Sequence, residues 1–297
     1  FIAVCAIAFG LWFPEFFSRF GSFTTFMLQI IFFLSSLKLE TSEFFRAGKQ
    51  WKTLLTVNFV ILFILPVVVY WVANLIVPEL AIALILLAAM PAGMSLPLMV
   101  DVIAGDRALA LLLTISSSLL APLSVPVVLF LLTSTNVNLP LIDMAWRLFI
   151  VIVIPFIFAQ IVRHGLRVNI RRVFPAFKPI SLVLLGILIA ASIAMNAGVI
   201  NGATTDIFLT IIVLFVFFVA IHIFAHLVFH RKPYCEQATI AASVTFMNFT
   251  LAIYLASVYI PDPRVLLTLA LSIIPWAVLL IPFKLVTDRM KKRGLIM

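Results

Sequence analysis

Met90-Pro91-Ala92-Gly93-Met94-Ser95-Leu96-Pro97 interrupts an apolar run, Leu80 to Ala104, that would otherwise read as one membrane helix. Two prolines and a glycine within seven residues remove amide donors and loosen the backbone where a plain spanning helix tolerates it least. Irregular backbone at that depth survives only where protein buries it or where it lines a water-filled cavity. A second interruption, Thr245-Phe246-Met247-Asn248-Phe249-Thr250, lies near the middle of a later apolar run, Cys235 to Ile260. The two breaks set the fold class, and the rest of the chain is read outward from them.

Of the 297 residues, 65% are hydrophobic and only 10% charged, and the mean hydropathy is +1.28. A soluble domain of this size needs far more polar material to cover its surface, so the class is polytopic membrane protein, all-α. The net charge of +9 sits in short connections between apolar runs. It orients the chain in a bilayer, and no nucleic-acid partner is expected. Cys5 and Cys235 stand far apart in sequence and form no metal-binding spacing. No Gly-rich phosphate loop, HExxH or nucleophile elbow is present, so no enzyme chemistry is expected. The first residue is Phe and no basic segment precedes the opening apolar run. No signal peptide is expected, and the natural start is expected to lie upstream.

Splitting at charged and turn-rich stretches yields ten apolar segments, most near the length that spans a bilayer. They are Phe1–Phe17, Gly21–Leu37, Thr53–Val77, Leu80–Ala104, Ala108–Ser134, Met144–Val162, Pro179–Ile200, Thr205–Phe229, Cys235–Ile260 and Val265–Leu285. Every lysine and arginine except Arg19, Arg147 and Arg264 falls in connections on one side of that pattern. By the positive-inside rule both termini are cytoplasmic. Ten segments divide into two halves of five, about residues 1–137 and 141–290, and an odd number per half gives the halves opposite orientation. The broken segment is the fourth of each half, with the two breaks crossing near the midplane. All of this lies in one transmembrane domain over 1–297. That inverted-repeat plan is the sequence pointer to a secondary carrier working by alternating access.

At the first break Ser95 is the candidate cap of a half-helix starting at Leu96, with Pro97 in its first turn. At the second, Asn248 or Thr250 caps the half-helix running to Tyr259. Free amides and a positive helix end at each break suit a carboxylate or other anion; simple kinks are the rival account, and Pro66, Pro126 and Pro155 are read that way. Asp101 is the one acidic side chain well inside a span, a candidate proton carrier or cation ligand, or else an interfacial residue beside Arg107. His222 and His226 share one helix face and suit either a proton relay or an interfacial setting. Gln29, Asn58, Gln160 and Asn196 suit interhelical hydrogen bonds or solute contacts. Ser116-Ser117-Ser118 reads as close helix packing.

Pro91-Ala92-Gly93, the turn Ala104-Gly105-Asp106 and the run Thr114 to Pro122 resemble the first half of the bile acid:sodium symporter family. Ala242-Ser243-Val244-Thr245-Phe246-Met247-Asn248-Phe249-Thr250-Leu251-Ala252 falls where that family carries Ile-Glu-Val-Gly-Met-Gln-Asn-Ser-Gly-Leu-Ala. The resemblance follows segment order over nearly the whole chain. It implies a ten-helix fold with a panel and a core domain, and sodium-coupled uptake of bile acids or other organic anions. The departures fall on the sodium ligands: the family's Glu matches Ser243, its Gln matches Met247, its Ser-Asn pair matches Leu96 and Pro97, and a further Ser matches Ala110. Thr114 and Asn248 agree.

The expectation is therefore a secondary carrier of an organic anion, bile acid-like or a small carboxylate, in a bacterial inner membrane. Sodium is the candidate coupling ion, with Thr114, Ser243 and Asn248 as weak ligands. A sodium-independent or proton-coupled carrier using Asp101 or His222 is the alternative. Candidate solute contacts are Gly93, Ser95, Pro97, Met247, Asn248, Thr250 and Asn196. A membrane-embedded sensor or assembly subunit is the rival from another class and would ordinarily carry a soluble signalling domain. Substrate identity and oligomeric state stay open.

Overall fold

The computed structural model describes residues 2–38, 51–133, 140–165, 174–195, 197, 207–260 and 262–292. The described chain is helical, and its one β-type feature is an isolated antiparallel bridge between Ala92 and Met247. In chain order the helices are α1 (Ile2–Trp12), α2 (Pro14–Ser18), α3 (Thr24–Ser36), α4 (Trp51–Ile76), α5 (Pro78–Ala88), α6 (Leu96–Val102) and α7 (Arg107–Thr133). They continue as α8 (Leu141–Gly165), α9 (Phe174–Ala194), α10 (Ile207–Val228), α11 (Tyr234–Thr245), α12 (Phe249–Tyr259) and α13 (Pro263–Arg289). Seven helical runs among the described residues are long and apolar enough to cross a membrane: Pro14–Ser36, α4, α7, α8, α9, α10 and α13.

The surface is as apolar as the interior. Leu75 is 84% exposed, Ile142 83% and Phe208 75%, a distribution stable only where the solvent is hydrocarbon. Because lipid supplies no hydrophobic drive between helices, contacts rely on close packing and on small side chains. Two groups result. Helices α1, α2, α3, α8 and α9 pack on one another; α4 to α7 pack with α10 to α13. Helix α7 leans on α8, and α12 touches both α3 and α9, so the groups meet along the flank of the second break. At that contact Thr25 of α3 donates to the Tyr254 hydroxyl of α12 at 3.2 Å.

Two prolines inside long helices are accommodated by widened turns rather than by breaks. A five-residue π turn, Val60–Ile64, precedes Pro66, and another, Phe149–Val153, precedes Pro155. Each absorbs the missing donor and the ring's clash with the preceding turn. Pro122 and Pro126 lie inside α7 without interrupting it. The second wide turn has a partner: Gln29 donates to the Ile150 carbonyl at 3.4 Å.

Contacts between distant segments sort to two ends. At one, Lys232 reaches Thr53 at 3.0 Å, Asp106 meets Thr239 at 2.7 Å, and Tyr234 pairs with Thr287 at 2.9 Å. At the other, the Tyr259 hydroxyl donates to Asp143 at 2.6 Å, and Asp143 pairs with Arg147 at 2.8 Å.

Candidate functional site

The two interruptions meet. The Gly93 amide donates to the Phe246 carbonyl and the Asn248 amide to the Pro91 carbonyl, both at 2.9 Å, so Ala92 and Met247 face each other as a two-residue piece of antiparallel ladder. Exposed peptide groups are unaffordable inside a span, and here each break supplies the partners the other lacks. Gly93 is required by this approach: a methyl on its Cα would collide with the Phe246 carbonyl. Ala92, Phe246 and Met247 are at most 2% exposed.

A third helix completes the crossing. The Ser117 hydroxyl of α7 accepts the Ala92 amide at 3.1 Å and donates to Leu113 at 2.6 Å. Ser117 therefore does more than permit close packing, the role expected for the Ser116-Ser117-Ser118 run. Ser116 receives the Asn58 side-chain amide at 2.8 Å. Thr114, one turn earlier, donates to Ala110 at 2.9 Å and lies 3.5 Å from the Gly93 carbonyl.

The half-helices differ from expectation in their caps. Asn248 does cap α12, its side chain accepting the Leu251 amide at 3.2 Å, while Thr250 sits in the first turn. Ser95 occupies the cap position of α6 but its hydroxyl makes no cap bond. The reason is the backbone: Ser95 is already helical at φ −87°, ψ −7°, whereas Asn248 has the non-helical ψ of 74° that aims a capping side chain at the first turn. The Ser95 carbonyl takes the Leu98 and Met99 amides at 3.0 and 3.2 Å, and the Leu96 amide turns back to Gly93 at 3.0 Å. Pro97 carries no amide, so the first turn of this seven-residue helix has few donors left for an anion. The expectation of free amides at both breaks is corrected for α6. Its far end closes with the Gly105 amide on the Val100 carbonyl at 2.9 Å, leaving Ala104 at φ 54° in the position usually held by glycine.

The remaining candidates divide as follows. Gly93, Pro97, Met247, Asn248 and Thr250 are buried around the crossing, and Ser95 beside Met94 is half-buried. Asn196 lies outside the described residues. Asp101 is exposed and pairs with Arg107 at 3.3 Å, an interfacial setting away from the crossing. His222 turns inward: its Nδ1 lies 2.9 Å from the Thr245 hydroxyl, the last residue before the second break, and its ring stacks on Phe283 at 3.7 Å. Thr245 also bonds the Ala241 carbonyl at 2.9 Å, so its hydroxyl joins His222 to the last turn of α11. His226 follows at 5.0 Å between ring centroids, its Nδ1 3.4 Å from Gln237. Gln160 donates to the Ser36 carbonyl at 3.1 Å, so it, Gln29 and Asn58 make the interhelical bonds expected of them.

Trp276 of α13 was not singled out by sequence. Its ring packs edge-on against Phe246 and Phe249 at 5.7 and 5.3 Å, and its buried indole N–H has no acceptor among the described residues. An aromatic in an apolar helix gives no sequence signal for such a place.

As a cation site the set Thr114, Ser243 and Asn248 is thin. It offers neutral oxygens only: Ser243 and Thr114 donate their hydrogens to Ile240 at 2.6 Å and Ala110 at 2.9 Å, which leaves their lone pairs free, and Asn248 spends one lone pair on the Leu251 amide. A hard cation asks for several oxygens, often a carboxylate among them, and no carboxylate joins these three.

Comparison with known proteins bears on the same residues. No curated protein matches the chain. A family model described as the Sodium Bile acid symporter family matches residues 25–203, a span that holds the first break, Thr114 and Ser117 but ends before the second break. That match covers more than half of the chain, the structure is helical and apolar as such a membrane protein must be, and the chain belongs to the sodium bile acid symporter family.

Proposed function

We propose that the protein is a secondary carrier of an organic anion, working by alternating access around the crossed breaks. The observation that carries the reading is the reciprocal backbone pairing of Gly93 with Phe246 and of Asn248 with Pro91. Interrupted helices crossing inside a span are the setting in which carriers hold their solute. We read α1 as a further span, and α5 with α6 and α11 with α12 as single interrupted spans; with the seven long runs these give ten spans in two inverted halves. The sorting of Lys232–Thr53 and Tyr259–Asp143 to opposite ends supports that count. With the basic connections inside, both termini face the cytoplasm of a bacterial cell.

Around the crossing the half-buried Met94 and Ser95 give the solute an apolar wall with few polar groups. An amphipathic anion or small carboxylate suits such a wall. The motion would carry the α1–α3, α8 and α9 group against the rest, along the Thr25–Tyr254 contact. Uptake of labelled taurocholate and of small carboxylates into proteoliposomes tests the reading, with and without an inward sodium gradient. Saturable uptake with counterflow is expected, and sodium is expected to add little because Ser243 and Met247 replace the family's Glu and Gln. Absence of saturable uptake for every anion would overturn the carrier reading; strong sodium stimulation would overturn the view of the cation site.

A proton-coupled variant has one specific observation in its favour, the hydrogen bond between His222 and Thr245 at the edge of the second break. It expects an inward proton gradient to drive uptake in the parent and not in His222→Gln, with counterflow retained in both.

A further inference from the structure

Helices α4 and α10 run antiparallel along a seam. At one end the seam opens into a cavity of about 350 Å³, lined by Lys52, Thr53, Thr56, Arg231 and Lys232 over a floor of Val60, Val228 and Phe229. Beyond the wide turn at Val60–Ile64 the same two helices, with Leu84 of α5, line a second, open-sided cavity of about 260 Å³. Its walls are apolar, among them Val69, Val72, Ala73, Val216, Ala220 and Phe224. From Thr56 to Ile76 a helix rises about 30 Å, the thickness of the hydrocarbon layer. One polar, cationic end therefore leads into a groove that follows the membrane normal.

The charges at that end are unevenly satisfied. Lys232 is held by Glu236 and by Thr53, both at 3.0 Å. Lys52 and Arg231 are exposed, and no acidic partner meets either among the described residues; Lys52 lies over the Trp51 ring at 5.6 Å. Three cations against one carboxylate, with two threonines, match a phosphodiester, and a basic pocket between spans on the cytoplasmic side is the setting in which anionic headgroups bind. The flank of the seam is open to lipid, since Val72 is 50% and Val216 63% exposed.

We infer that this seam is a binding site for one anionic phospholipid, its phosphate among Lys52, Arg231 and Lys232 and an acyl chain between α4 and α10. The site rests on the proposed orientation, basic connections toward the cytoplasm, and not on the transport reading.

The test is native mass spectrometry of the purified full chain with phosphatidylglycerol and phosphatidylcholine of identical chains, alongside the thermal midpoint with each. The parent prefers phosphatidylglycerol at least tenfold. Each basic residue lost weakens that preference about fivefold, so Lys52→Gln with Arg231→Gln brings the two lipids level, whereas Arg264→Gln at the opposite end leaves the preference intact. Ala220→Trp, which fills the groove, weakens both lipids together. Lys232 is left in place because it ties the connection after α10 to α4. Equal affinity of the parent for both lipids, or an undiminished preference in the double variant, would overturn the inference. So would protection by glycerol phosphate equal to that by the lipid, which makes the pocket a soluble-anion site. Displacement of phosphatidylglycerol by taurocholate at matched concentration would do the same by assigning the seam to solute.

Discussion

The two breaks reach one crossing by opposite means. The first, Met90 to Pro97, relies on what its side chains lack: Pro91 and Pro97 have no amide, Gly93 no Cβ, and the Ala92 amide must borrow Ser117 from α7. The second, Thr245 to Thr250, supplies its own polar groups. Asn248 caps α12, and Thr245 is bonded to both Ala241 and His222. The first break is thus a feature of backbone and neighbour, the second a feature of its own residues. Substitutions should separate them.

Gly93→Val should do the most damage, because the added carbons meet a carbonyl rather than a flexible side chain. Overpacking of that kind costs roughly 1–3 kcal/mol and more where backbone must shift; the folded yield in detergent and the thermal midpoint should both fall, with transport lost. Ser117→Ala should follow at about 1–3 kcal/mol, the cost of a buried amide left without a partner, and Ser117→Thr should restore part of it in the same thermal assay. Asn248→Ala should cost about 1 kcal/mol for the lost cap, while Asn248→Asp or Asn248→Ser keeps stability. If Asn248→Ala proves costlier than Ser117→Ala, the contrast between self-sufficient and dependent breaks is wrong. The smallest effects belong to the end of α6. Ala104→Gly should stabilise by about 0.5–1 kcal/mol by relieving the left-handed backbone. Asp101→Asn should change stability by less than about 1 kcal/mol, since both partners of its ion pair are solvated, and should leave any proton-driven uptake intact.

The fold was legible where physics acts locally. Proline and glycine in an apolar run cannot form a plain span, and the position of Pro97 in a first turn and of Asn248 as a cap follows from one residue's stereochemistry. The same local reasoning failed at Ser95, because nothing in sequence says whether the cap residue will sit in helical or non-helical backbone, which decides whether its side chain reaches the next turn's amides. It also missed Ser117 and Trp276. A serine that completes a distant break looks identical to one that packs against a neighbour, and a tryptophan beside the crossing looks identical to one facing lipid. The distinction lies in which segments touch, information spread over residues more than twenty positions apart. Pro66 and Pro155 sit between these cases: a disturbance was expected from the residue type, while its form, a widened turn, depended on what the neighbouring helix allowed.

The reciprocal bonds between Gly93 and Phe246 and between Asn248 and Pro91 also act as a mechanical fastener. Drawing the two breaks apart would leave four peptide groups unpaired in a medium that cannot solvate them, at roughly 2–7 kcal/mol each. The crossing must then travel as one piece, and any rearrangement of this molecule has to slide other helices past a pinned axle. Amide exchange should register it: Gly93 and Asn248, although they lie in irregular backbone, belong among the slowest-exchanging positions of the chain.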